Sequence, residues 1–142
     1  MAKDVKFFHG IALARIVDSE PVFLKKIDRS VYSIDNKIYF YIKHSTKRMS
    51  PWIFSFLRDH VEKIVSLYNQ KTKIYIVLVC NDDGICCLDF KEFKTVISPK
   101  NNLYPKWIRV SRKRGEKYYI TGSDGVLKHK IGNSDYPTKL YS

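Results

Sequence analysis

Ile74-Tyr75-Ile76-Val77-Leu78-Val79-Cys80-Asn81-Asp82-Asp83-Gly84-Ile85-Cys86-Cys87-Leu88 is the stretch whose reading decides the fold. Residues 74–80 are apolar without interruption. A half-buried strand alternates apolar and polar side chains, whereas an unbroken run belongs to a strand covered on both faces. Asn81 to Gly84 turns the chain and Ile85 to Leu88 returns, because Asp-Gly between apolar runs is a hairpin signal. A strand covered on both faces needs a layer on each side of its sheet, and the flanking sequence has to supply those layers.

Immediately downstream, Asp89 followed three residues later by Glu92 forms a capping box for a short helix over 90–97, with Phe90, Phe93 and Ile97 on its buried face. Upstream, Leu57, Val61, Ile64, Val65 and Tyr68 make a helical apolar stripe over 57–70. Trp52, Phe54 and Phe56 alternate just before it, which predicts a strand with one aromatic face and Trp52 in the core.

Further out, residues 4–17 read as a helix whose stripe runs through Phe7, Ile11 and Ala14 and is widened by Phe8, Ala12 and Ile16. Pro21 ends it, since the residue before proline avoids the helical region. Strands are expected over Val22–Ile27, Val31–Ile34 and Ile38–Lys43, with Asp35-Asn36-Lys37 as ordinary turn chemistry. Beyond the short helix, strands are expected at Trp107–Ser111, Tyr118–Thr121 and Val126–Ile131, and Ser134–Ser142 reads as a surface tail. The order predicts an α/β (α+β) chain: a single domain over 1–142, with a central mixed sheet flanked by two main helices and one short helix.

Bulk composition narrows the class. The 142 residues fit one domain of the usual size, roughly 100–150 residues. A content of 44% hydrophobic and 14% aromatic residues excludes a disordered chain. The longest apolar run is far short of the ~20 residues that span a bilayer, so no membrane partner is expected. The N-terminus lacks the apolar core of a signal peptide, and the expectation is an intracellular, cytoplasmic protein. Cys86 and Cys87 are adjacent and would point to opposite faces of a strand. No CxxC spacing with nearby histidines occurs, so the three cysteines are expected to be buried, reduced thiols rather than zinc ligands.

Charge is the strongest functional signal. Lys and Arg number 26 against 14 Asp and Glu, a net charge of +12. The excess is densest at Lys43-His44-Ser45-Thr46-Lys47-Arg48 and at Arg109-Val110-Ser111-Arg112-Lys113-Arg114, with Lys117 close behind. A surface this positive attracts polyanions, and phosphate backbones are the commonest of them. The expected nucleic-acid contacts are therefore Lys43, His44, Lys47 and Arg48 in the first cluster, and Arg112, Lys113, Arg114 and Lys117 in the second. Ser45 and Thr46 add hydroxyls that bond phosphate oxygens, and the second cluster reads as a strand-turn-strand finger with a basic tip. An acidic protein partner fits the same charge. No GxSxG, Walker loop or HExxH occurs.

The order helix, strand meander, helix, returning strand over residues 4–80 resembles the PD-(D/E)XK nuclease-like fold. That resemblance implies carboxylates that hold Mg2+ and a lysine that positions or activates water. Lys43, at the end of Ile38-Tyr39-Phe40-Tyr41-Ile42-Lys43, matches the lysine; Asp35 and Asp28 lie upstream of it, and Glu20 is the candidate for a displaced acid. Tyr41 stands where the pattern places an acid, and a neutral phenol cannot replace a carboxylate at magnesium. Three classes follow. The leading one is a nucleic-acid-binding module on a degenerate nuclease-like scaffold, with no cofactor. The second is an active nuclease using Asp28 or Asp35, Glu20, Lys43 and Mg2+. The third is a small interaction factor, mobile-element or defence-related, docking on an acidic partner.

Overall fold

The computed structural model describes residues 5–19, 21–70 and 73–141, and its first element is a helix, α1 (Val5–Ser19). Glu20 lies outside the described residues. Three strands follow as an antiparallel meander: β1 (Leu24–Asp28), β2 (Val31–Ile34) and β3 (Ile38–Ser45). A further strand, β4 (Trp52–Phe56), leads into α2 (Arg58–Asn69). Next come β5 (Lys73–Cys80), β6 (Gly84–Asp89) and α3 (Phe90–Val96). The chain closes with β7 (Lys106–Ser111), β8 (Tyr119–Gly122), β9 (Gly125–Val126) and 3-10 turns at Asn133–Asp135 and Thr138–Tyr141.

The mixed α/β architecture is as expected, but the strands divide between two sheets. One has the order β1-β2-β3-β5-β6 and the other β4-β7-β8-β9. β5 lies parallel to β3, paired from Ile38↔Lys73 to Ser45↔Cys80. A parallel neighbour requires a crossover, and α2 supplies it. β5 is buried at every position after Lys73, as its unbroken apolar run requires. β4 instead alternates buried and exposed residues, so it cannot sit inside a sheet covered on both sides. It pairs with β7 in the second sheet and turns Trp52, Phe54 and Phe56 inward.

One face of the five-stranded sheet packs on α2, α3 and the inner face of the four-stranded sheet. The other packs on α1 and the C-terminal turns. α1 buries the row Phe8, Ala12 and Ile16 rather than Phe7, Ile11 and Ala14; Phe7 remains 44% exposed. Both rows have helical spacing, and only contact with Phe40, Ile42 and Val77 selects between them. The expected surface tail is also corrected. Tyr136 and Leu140 are fully buried, and the Tyr136 hydroxyl donates to the Ala12 carbonyl at 2.8 Å. Arg15 holds the same segment by donating to Asn133 Oδ1 at 2.8 Å and to the Asn133 and Tyr136 carbonyls. The last expected strand shrinks to Gly125–Val126, followed by an isolated bridge between Tyr118 and Ile131.

The capping box of α3 forms as expected: Glu92 N–H donates to Asp89 Oδ1 at 2.7 Å, and Asp89 N–H donates to Glu92 Oε1 at 2.9 Å. Gly122 and Gly125 let the β8–β9 hairpin lie against this helix, because a Cβ at either would stand 2.2–2.3 Å from the Val96 or Thr95 carbonyl oxygen. All three cysteines are free and buried. Among the described residues no helix is long and apolar enough to cross a membrane.

Candidate functional site

Of the described sequence-predicted residues, all but Asp35 fall in two regions, and both lie where β3 ends. The first is a cleft of about 590 Å³ lined by the β1–β2 turn, the end of β3 and the first turn of α2. Alternation along β3 sends Tyr41 and Lys43 toward α2 and His44 toward α1. Lys43 Nζ lies 4.7 Å from the centre of the Phe56 ring, donates to the Ser55 carbonyl, and stands 2.8 Å from His60 Nδ1. Leu57 N–H donates to the same nitrogen at 3.1 Å. Both partners are donors, so Nδ1 is the acceptor and the proton of neutral His60 sits on Nε2. His60 therefore caps α2 and faces the cleft, where the stripe pattern alone would put it in solvent.

Burial lowers the Lys43 ammonium to a pKa of about 8, although the Asp59 charge pulls the other way. His9, His44 and His60 are each lowered as well, first by desolvation and then by neighbouring positive charge. Burial in the cleft thus disfavours the positively charged forms of these four side chains. His44 is only partly available for contact, since its ring stacks on Phe8 at 4.4 Å.

Of the described nuclease-type residues, Asp28 shares the cleft with Lys43 and Asp35 does not. Asp28 lines the cleft, but its carboxylate pairs with Lys63 at 2.9 Å and accepts from Arg29 N–H. Asp35 sits beyond the opposite end of β3, whose first residue, Ile38, is already about 17 Å from Lys43 along the strand. There it adopts a positive φ and its carboxylate accepts from Phe23 N–H at 2.9 Å, which is turn chemistry. Tyr41, 7% exposed, fills the acid slot, and burial pushes its hydroxyl up to about 12. Asp59 joins Asp28 in the cleft, but no group of three or more His, Cys, Asp or Glu able to hold a metal occurs among the described residues.

The second region is basic. Lys47 and Arg48 are exposed, and the Lys47 carbonyl accepts from the Trp52 indole at 2.8 Å, which anchors the loop to the core. Lys113, Arg114 and Lys117 are exposed at the β7–β8 turn. Arg112 N–H donates to Ser50 Oγ at 3.0 Å, so the two clusters meet at one end of the molecule. The β5–β6 turn lies between them: Asn81 Nδ2 donates to the Thr46 carbonyl, and Asp83 holds Arg112. Arg112 is the exception in its cluster. Its guanidinium pairs bidentately with Asp83 at 2.8 and 3.0 Å and packs over Tyr118, so it builds the scaffold rather than reaching outward.

No family model, curated protein or solved structure matches this chain.

Sequence reasoning passed over two buried charges. Lys106 is fully buried, paired with Asp124 at 2.8 Å and bonded to Asn101. The signal was present: if Ile108 and Val110 face inward, so does Lys106 two residues earlier, while Trp107 and Arg109 face out. Glu92, beyond its cap role, accepts from Lys139 at 2.7 Å and meets His129.

Proposed function

We propose that this protein binds nucleic acid through the basic end formed by Lys47 and Arg48 together with Lys113, Arg114 and Lys117. The observation that carries this reading is the junction of two sequence-distant basic clusters by the Arg112–Ser50 and Asn81–Thr46 bonds. Exposed, flexible cations on a rigid base neutralise phosphates and release their counterions, which makes affinity fall with salt. The order helix, meander, crossover helix and parallel strand supports a nuclease-like scaffold beneath this surface. The mismatched carboxylates support binding without metal-dependent cleavage.

The test is titration of labelled duplex and single-stranded nucleic acid at two salt concentrations. Binding is expected at low salt, with affinity falling steeply as salt rises. The Lys47→Ala, Arg48→Ala double variant is expected to bind more weakly while melting within ~0.5 kcal/mol of the parent, as exposed positions do. Absent or salt-insensitive binding overturns the reading and favours an acidic protein partner.

A further inference from the structure

Large apolar side chains reach solvent on the outer face of the four-stranded sheet. The inner face packs into the core, and among the described residues no helix or strand covers the other side. Ile53 is 57% exposed there, Trp107 40% and Tyr119 43%. Burying large apolar side chains is favourable, so three of them left outward on one strand face form an unpartnered surface. The strands that build it, WIFSF, KWIRVS, YITG and GV, contain no carboxylate.

The pairing register fixes the pattern. Arg109 lies opposite Ile53 on one side and Thr121 on the other. Trp107 precedes Arg109 by two residues on the same strand face, a step of about 7 Å. Tyr119 is the diagonal neighbour of Arg109 across β7–β8, about 7–8 Å away. The face therefore carries ring, guanidinium, ring in a diagonal line, with hydroxyls of Ser55 and Thr121 beside it. A hollow of about 420 Å³ next to Trp107 and Arg109 is walled by Pro51 and Ile53. A second hollow of about 450 Å³ joins Tyr119 to Lys113, Lys117 and Lys130. The line of rings thus runs into the basic end.

We infer that this sheet face is a stacking platform for single-stranded nucleic acid, with bases on Trp107 and Tyr119 and the backbone led over Arg109 to the basic end. The inference rests on the nucleic-acid reading above and adds the strandedness and the rings. Unpaired bases offer π-faces to separated aromatic rings, whereas a duplex keeps its bases stacked on one another. A four-stranded sheet face is also wider than the helix or two-stranded ribbon that the major groove admits. The charge of +12 and the absence of strand carboxylates complement a polyanion rather than an apolar protein surface.

The full-length chain is titrated with a labelled single strand, as DNA and as RNA, and with a duplex of equal length at the same salt. The single strand is expected to bind more tightly. Trp107→Ala and Tyr119→Ala are each expected to weaken it by roughly 5- to 150-fold, the range for removing one base–aromatic stack. Duplex affinity and melting temperature should stay near the parent's, and Trp107→Phe should restore most of the affinity. Duplex preference overturns the inference. So does unchanged single-strand affinity in both alanine variants while Lys47→Ala, Arg48→Ala still abolishes binding; that outcome leaves the basic surface standing. A protein dimer that dissociates in Trp107→Ala overturns the inference by assigning the face to a second copy. Failure to bind any nucleic acid overturns both readings together.

Discussion

Lys43 holds its charge where water reaches it poorly. Its ammonium faces a carbonyl, an aromatic ring and a neutral imidazole, and burial outweighs the attraction of Asp59. The folded pKa of about 8 lies below the ordinary 10.5. Between those two values the unfolded chain binds more protons than the folded one. Stability attributable to Lys43 therefore rises with pH from about 8 toward 10.5 and is lower at neutral pH. Proton titration followed by NMR of the lysine side chains should show one resonance with a midpoint near 8; a midpoint near 10.5 would place Lys43 in water. Lys106 is buried more deeply, and its side-chain nitrogen donates to Asp124 Oδ2 and Asn101 Oδ1. Its ring neighbour Tyr104 adds a cation–π contact at 5.1 Å. Asp124→Ala should cost about 3–5 kcal/mol in urea unfolding, because it strands a buried charge. Adding Lys106→Met to that variant should recover much of the stability, since the charge without a partner is gone. A cost below ~0.5 kcal/mol for the single variant would mean that water reaches Lys106.

Among the elements, the C-terminal segment departs furthest from its local appearance. Polar residues surround Tyr136 and Leu140, and by composition 134–142 is a tail. Yet both side chains fill the sheet face that α1 leaves open, and Lys139 ties the last turn to the Cys87 carbonyl at 2.8 Å and to Glu92. Leu140→Ala is expected to destabilise the protein by about 2–5 kcal/mol, as a truncation in a closed core does. Denaturant melts of this variant give the answer, and a change within ~0.5 kcal/mol would return the segment to the surface. β1 shows the reverse behaviour. It is the outer strand of its sheet and mostly exposed, and Lys25 and Lys26 there discourage pairing with another chain.

At the scale of the whole molecule, the carboxylates and the surplus cations are used differently. Asp83, Asp124 and Glu92 are held in partly buried pairs with Arg112, Lys106 and Lys139. These acids brace the scaffold, while Lys47, Arg48, Lys113, Arg114 and Lys117 of the basic end are exposed. The proposed binding should then have a salt slope set by separable phosphate neutralisations. Removing Lys113 and Lys117 together should flatten the plot of log affinity against log salt by about 1.4–1.8, since each phosphate that goes without its cation removes roughly 0.7–0.9 from the slope. An unchanged slope in that variant would move phosphate binding away from the β7–β8 turn.

What the sequence determined by itself is what repeats over a few residues. The apolar run 74–80, the Asp83-Gly84 turn, the alternation at Trp52, Phe54 and Phe56, and the Asp89–Glu92 box each name their element, because period and capping are local properties of the backbone. The basic clusters were legible for the same reason. Tertiary structure alone chose the Phe8–Ala12–Ile16 row over its neighbour, split the strands between two sheets, folded Tyr136 and Leu140 inward, and carried Asp35 away from Lys43. It also joined Lys47 and Arg48 to the β7–β8 turn. These outcomes depend on which distant surfaces bury most when packed together, and no short window of sequence contains that sum.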